Sequence, residues 1–205
     1  SKSTLSNLEK NVPNIQLPSI DIESLILEDE IEQMDKSVPF RFGTPFEVNY
    51  NLDNSGQWID TDLGRIWRLS ITSEGAYSIN LIYNRFILPD GAEMFVYDEN
   101  MNMILGAFTS ANNKNYETFS TAPTKGETTI IEYFEPYNVE FNGEISIGSV
   151  IHGYKDVFFN DTRGYGDSGS CNNNVNCAVG ESWADEIRSV AMILTSGGSR
   201  LCTGS

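Results

Sequence analysis

From Phe46 to His152 apolar and polar positions alternate in short runs that end in turn signals. Phe46, Val48, Tyr50 and Leu52 alternate with polar residues, and Asp53-Asn54-Ser55-Gly56 then turns the chain. A second run, Arg65 to Ile71, stops at Ser73-Glu74-Gly75, and Tyr77, Ile79, Leu81 and Tyr83 form one face of a third. Pro89-Asp90-Gly91 is a turn because proline presets φ and glycine accepts positive φ. It leads into Met94 to Tyr97, and Asp98-Glu99-Asn100 separates that run from Ile104 to Phe108. Thr128 to Tyr133 and Glu144 to His152 complete the set, the latter with Ile145, Ile147 and Ile151 expected on one side. Short strands at this spacing, with no helical pattern between them and no internal repeat, predict an all-β fold built as a β-sandwich or jelly-roll-like domain over residues 41–160.

The flanks read differently. Residues 1–40 form an entry segment in which Val12-Pro13, Leu17-Pro18 and Val38-Pro39 favour extended backbone. Between them Leu27, Ile31 and Met34 recur at helical spacing, predicting one short acidic helix within Ser24 to Asp35. Residues 161–205 begin with a stretch rich in Gly, Asn, Ser and Asp, suited to a linker or processing loop. A hairpin follows: Ile187 to Leu194, a Ser196-Gly197-Gly198-Ser199 turn, then Arg200 to Ser205. Such a hairpin is marginal without further strands to pack on, and it is expected to be the start of a larger barrel.

Composition narrows the function. Of 205 residues 40% are hydrophobic, enough for an ordinary core. The formal net charge of −16 repels phosphate backbones and anionic lipid, so neither nucleic acid nor a membrane surface is an expected partner. The first residues, Ser1-Lys2-Ser3-Thr4-Leu5-Ser6, lack the apolar core of a signal peptide, so a secreted or periplasmic protein would already have lost its signal. Glu28-Asp29-Glu30 lacks the spacing and glycine of a calcium loop and reads as a solvated face. No metal site and no cofactor is expected. Asn160-Asp161-Thr162 fits the N-glycosylation pattern, which carries meaning only in a glycosylating host.

All three cysteines, Cys171, Cys177 and Cys202, lie in the last fifth of the chain. Three cannot pair completely, and their spacing suits neither a zinc ribbon nor a redox pair. Buried thiols are one reading; disulfides to sequence outside this chain fit an exported protein better. Gly166-Asp167-Ser168-Gly169 matches the surroundings of a trypsin-like nucleophile, but the single histidine, His152, ends a strand in no base motif. Nucleophilic serine chemistry needs a base in reach and a carboxylate to orient it, so no catalytic residue is assigned in this chain.

Gly166-Asp167-Ser168-Gly169-Ser170-Cys171-Asn172, Val175-Asn176-Cys177, Ile187-Arg188-Ser189-Val190 and Cys202-Thr203-Gly204-Ser205 together resemble the mature N-terminus of the lysyl endopeptidases, secreted bacterial trypsin-like serine proteases. Gly56-Gln57-Trp58, Arg65-Ile66-Trp67-Arg68-Leu69, Leu88-Pro89-Asp90-Gly91-Ala92 and Val150-Ile151-His152-Gly153-Tyr154 are similar to the pro-regions of such enzymes. The resemblance implies a pro-domain followed by the first strands of a trypsin-like barrel, inactive as it stands. It also implies that Cys171, Cys177 and Cys202 bond to cysteines further along the protease domain, and that the partners are that domain and, for the complete enzyme, peptide substrates. Arg163 is the only basic residue between Lys155 and Arg188, which predicts self-processing at Arg163–Gly164. An arginine there leaves open whether the enzyme prefers lysine or arginine.

A rival reading is a secreted binding module for carbohydrate or protein, using Trp58, Trp67, Tyr83 and Tyr97 as a stacking platform. Their alternating placement predicts burial in a core instead.

Overall fold

The computed structural model describes residues 12–32, 38–158, 182–183, 185 and 189–204. In chain order the elements are β1 (Asn14–Gln16), α1 (Ile22–Glu32), β2 (Phe40–Arg41), β3 (Gly43–Asn51), β4 (Gln57–Asp60), β5 (Gly64–Thr72), β6 (Ser78–Ile87) and β7 (Glu93–Asp98). They continue with β8 (Ile104–Phe108), β9 (Phe119–Ser120), β10 (Thr124–Lys125), β11 (Thr128–Pro136), β12 (Glu144–Gly153), β13 (Ala191–Leu194) and β14 (Ser199–Gly204). The fold is all-β, as the alternation predicts, and no sheet closes into a barrel among the described residues.

The first sheet runs β1-β5-β11-β7-β8. β1 pairs parallel with residues 70–72 of β5, and β4 pairs antiparallel with residues 65–68. The second sheet runs β10-β6-β12-β3, with β9 also on β6. Trp67, Leu69 and Ile71 of β5, Met94 and Val96 of β7, and Ile131 and Tyr133 of β11 meet Ile79, Leu81 and Tyr83 of β6 and Ile145, Ile147 and Val150 of β12 in one buried cluster. Both sheets thus contribute alternate residues to a shared interior, which is what a period of two delivers when one face is covered.

Two alternation forecasts fail at particular residues. Tyr77 is 55% exposed, because β6 begins only at Ser78. In β12 the ladder slips between Ile147 and Ser149, against both β3 and β6. The extra residue of this bulge changes which side chain faces inward, so Val150 rather than Ile151 joins the core cluster. Gly148 sits at the slip, where an added Cβ would come within 3.0 Å of Asn84. Ile151 is still fully buried, with its Cγ2 beside the backbone of Gly43.

A third sheet joins the two ends of the chain. β13 and β14 form the expected hairpin, and β14 also pairs with β2: Ser199 lies opposite Arg41 and Arg200 opposite Phe40.

Candidate functional site

The place where the hairpin meets the two-sheet body is built on close backbone approach. Phe42, fully buried, and Gly43 both donate their backbone N–H to the carbonyl of Gly198, at 2.8 and 3.0 Å. Gly198 has φ of 78°, a conformation that L side chains rarely adopt, and a Cβ there would lie 2.3 Å from the Gly43 carbonyl. A Cβ on Gly43 would in turn lie 2.7 Å from the His152 carbonyl of β12. Only a glycine on each side lets the turn seat against β3 and β12. The Phe42 carbonyl then accepts from the N–H of Lys155, at 3.1 Å, tying the exit of β12 to the same strand.

Beside this junction sits a buried carboxylate. Asp29 of α1 is 3% exposed, so the expectation of a solvated face holds for Glu28 and Glu30 and fails at Asp29. Its Oδ1 accepts from Arg41 Nε at 2.7 Å, its Oδ2 accepts from the Tyr154 hydroxyl at 2.8 Å, and Lys155 forms an ion pair with it. Arg41 also reaches Glu28, at 3.1 Å. Burial alone would push the Asp29 carboxyl up, but the hydrogen bonds from Lys155, Tyr154 and Arg41 outweigh it, and the group lies below its ordinary value. Burial and the bond to Asp29 hold the Tyr154 phenol well above the ordinary range. The aromatic ring of Phe40 carries the Lys155 ammonium at 4.7 Å and the Arg200 guanidinium at 5.4 Å. One helix, one strand, the end of β12 and the terminal hairpin are therefore held by a single polar cluster. Its residues come from distant parts of the sequence, 125 positions apart in the Asp29–Tyr154 pair. Next to the turn, Leu194, Thr195 and Ser196 form part of the wall of a cleft of about 710 Å³, shared with Tyr116, Phe119 and Phe158 of the body.

His152 is fully buried in β12, and its Nδ1 lies 2.7 Å from the Ser73 hydroxyl. Its Nε2 is buried without a hydrogen-bond partner, and burial holds the imidazole below its ordinary value. A serine and a histidine in contact invite a catalytic reading, but neither is open to a substrate: Ser73 is 1% exposed and His152 not at all. The pair is a structural one. Among the described residues no group of three or more His, Cys, Asp or Glu side chains is arranged to hold a metal ion.

The four aromatic residues that could have stacked a ligand are taken up by the interior. Trp67 and Tyr83 are fully buried, Tyr97 is 4% exposed, and Trp58 packs edge-on against Tyr133. Trp67 Nε1 donates to the Ser55 carbonyl at 2.8 Å, and Trp58 lies under the Arg65 guanidinium. Arg163, Gly164, Ser168, Cys171 and Cys177 lie outside the described residues. The backbone of Cys202 lies in β14, opposite Ile193.

The sequence pointed to none of the junction residues as a site. Gly198 was legible as a turn and Asp29 as one acid among several, but nothing local signals that an aspartate will be enclosed by cations from β2 and from beyond β12.

No solved structure matches the chain. Residues 165–205 match the family described as lysyl endopeptidase, C-terminal domain. The terminal hairpin lies inside that match, and the protein is in this respect related to the lysyl endopeptidases and to proteases.

Proposed function

We infer that residues 1–160 serve as the pro-region of a secreted trypsin-like serine endopeptidase of the lysyl endopeptidase kind, and that residues 161–205 hold the processing loop and open its peptidase domain. One observation carries the reading: the hairpin of the protease-related segment is hydrogen-bonded through β14 to β2 of the preceding body, with Gly198 seated on Phe42 and Gly43. A two-stranded hairpin is marginal by itself, and an edge strand supplied by a pre-formed body removes that weakness before the remaining strands arrive. The body would thereby assist folding and keep the peptidase immature until cleavage at Arg163–Gly164. Cys171, Cys177 and Cys202 would bond to cysteines of the remaining peptidase domain in an oxidising compartment.

Two measurements test this. The gene should continue past Ser205 into a peptidase with a histidine and an aspartate placed to serve a serine. Incubation of the complete precursor should also yield a new N-terminus at Gly164. A reading frame that closes at Ser205 refutes the precursor, and a different new N-terminus refutes the processing site alone.

A further inference from the structure

His152 is the only histidine of the chain, and its surroundings suit the neutral imidazole alone. The side chain is fully buried, Nδ1 is bonded to Ser73, and Nε2 has no hydrogen-bond partner. A proton added there leaves a buried cation with an unanswered N–H. The charged groups around it offer little. Glu127, in the turn between β10 and β11, favours the proton through its field, but it is exposed and its Oε1 is engaged by the Gly75 N–H at 2.9 Å. Glu74, next to Ser73, is exposed too. Lys125 of β10 stands opposite Ser78, and Lys155 is engaged with Asp29; both are cations and neither favours another. Directly across from His152 are Thr44 of β3 and Ile79 of β6, which carry no charge.

The strand end that holds this imidazole also holds the junction. The His152 carbonyl lies against Gly43, whose N–H donates to the Gly198 carbonyl of the hairpin turn. The Gly153 carbonyl accepts from the Tyr77 N–H at 2.8 Å, the Lys155 N–H donates to Phe42, and the Tyr154 and Lys155 side chains close on Asp29. Lifting residues 152–155 from β3 and β6 lets water reach the ring, and the same movement removes every one of those supports. We propose that protonation of His152 is a switch that frees the terminal hairpin from the body in mild acid while the rest of the two-sheet body stays folded. The sign follows from burial, which holds the folded imidazole below 6.5. The lifted form therefore takes up the proton first, so the closed junction is fully favoured above pH 6.5 and loses ground as pH falls below it. The Asp29 carboxyl lies below its ordinary value and keeps its charge through this window, so the clamp is not the group that titrates. Under the proposed function the switch loosens the pro-region's hold on the first hairpin of the peptidase; the release itself does not depend on that reading.

Hydrogen exchange of the 205-residue chain, corrected for the intrinsic effect of pH on exchange, tests the switch. Protection of residues 191–204 is expected to fall about tenfold between about pH 7.5 and about pH 5.5, the most that one proton gives over a unit below 6.5. β7 and β11 should keep theirs. With a single histidine the imidazole also gives a single NMR titration, and its midpoint should lie below 6.5. His152→Gln should abolish the pH response of the hairpin, whereas Asp29→Asn should lower protection at both ends of the range and leave the response in place. Hairpin protection that changes by less than about twofold in the unaltered chain overturns the switch. So does a loss shared equally by β7 and β11, or an opening of residues 73–77 with the hairpin still protected. An NMR midpoint at or above 6.5, or a His152→Gln chain that still responds, overturns it as well. A reading frame that closes at Ser205 refutes the proposed function and leaves the acid release standing.

Discussion

The two-sheet body and the terminal hairpin are both made of antiparallel strands, yet they are stable for opposite reasons. β5, β6, β11 and β12 each have a strand on both sides and a face against a shared interior. β14 has β13 on one side and only the two-residue β2 on the other, while Val190 and Ile193 of the hairpin are 56% and 44% exposed. The body holds itself together by burial; the hairpin is held by an edge, two glycines and a polar cluster. Strand content alone says nothing about self-sufficiency. What counts is how much apolar surface each strand removes from water.

This difference can be broken from the body's side first. Trp67→Ala removes a fully buried indole and its bond to Ser55 and is expected to cost about 3–5 kcal/mol in urea unfolding, with the hairpin losing protection in step. A hairpin that keeps its hydrogen-exchange protection after the body unfolds would show that it stands alone.

Asp29→Asn acts on the link itself. It removes the charge that two cations and a phenol enclose, and about 2 kcal/mol of stability should go with it, discounted because the Arg41 and Lys155 side chains are 23% and 21% exposed. The folded Asp29 carboxyl lies below its ordinary value, so its contribution is present above that value and fades as pH falls through the folded one. In Asp29→Asn this part of the acid destabilisation should disappear, which a stability profile below about pH 4 would read.

His152 belongs to the body and gives a separate pH signature. Its folded value is lowered from the ordinary 6.5, so the unfolded chain takes up the proton first. Stability is therefore full above pH 6.5, falls by about 1.4 kcal/mol for each unit as pH drops toward the folded value, and stays lost below it. Stability that does not change between pH 7 and 5 would contradict the buried, neutral imidazole.

Gly198→Ala should have the smallest effect on the molecule as a whole and the clearest one on the hairpin. The added methyl cannot be accommodated at φ of 78° against the Gly43 carbonyl, so residues 191–204 should exchange at least about tenfold faster while the urea midpoint of the body stays put. A drop in the body midpoint of the same size would mean that the two regions form one cooperative unit.

Most of the strands were legible because a period of two is a local signal. The alternation of Arg65 to Ile71 or of Ile79 to Tyr83 needs only one covered face, and both runs became central strands. The short strands β1, β4, β9 and β10 carried no such signal, since two to four residues cannot display a period. The helix was found by its spacing, but Leu27 and Ile31 of its stripe face outward, because the position of a stripe tells nothing about what will cover it. Of the junction only the Gly198 turn was legible, not what it rests on. Asp29, Arg41 and Tyr154 are unremarkable in their own neighbourhoods and acquire a role only through one another.

By itself, then, the sequence determined an all-β body with its turns, a helix before it, and a glycine-rich hairpin at its end, along with the likeness of residues 165–205 to a lysyl endopeptidase domain. Tertiary structure decided that Val150 and not Ile151 enters the core, that an aspartate is buried while a leucine is exposed, and that the hairpin rests on β2. The physical reason is range: backbone preference and alternation act over a few residues, whereas a bulge, a buried charge and a strand edge are stable only when partners far along the chain arrive to complete them.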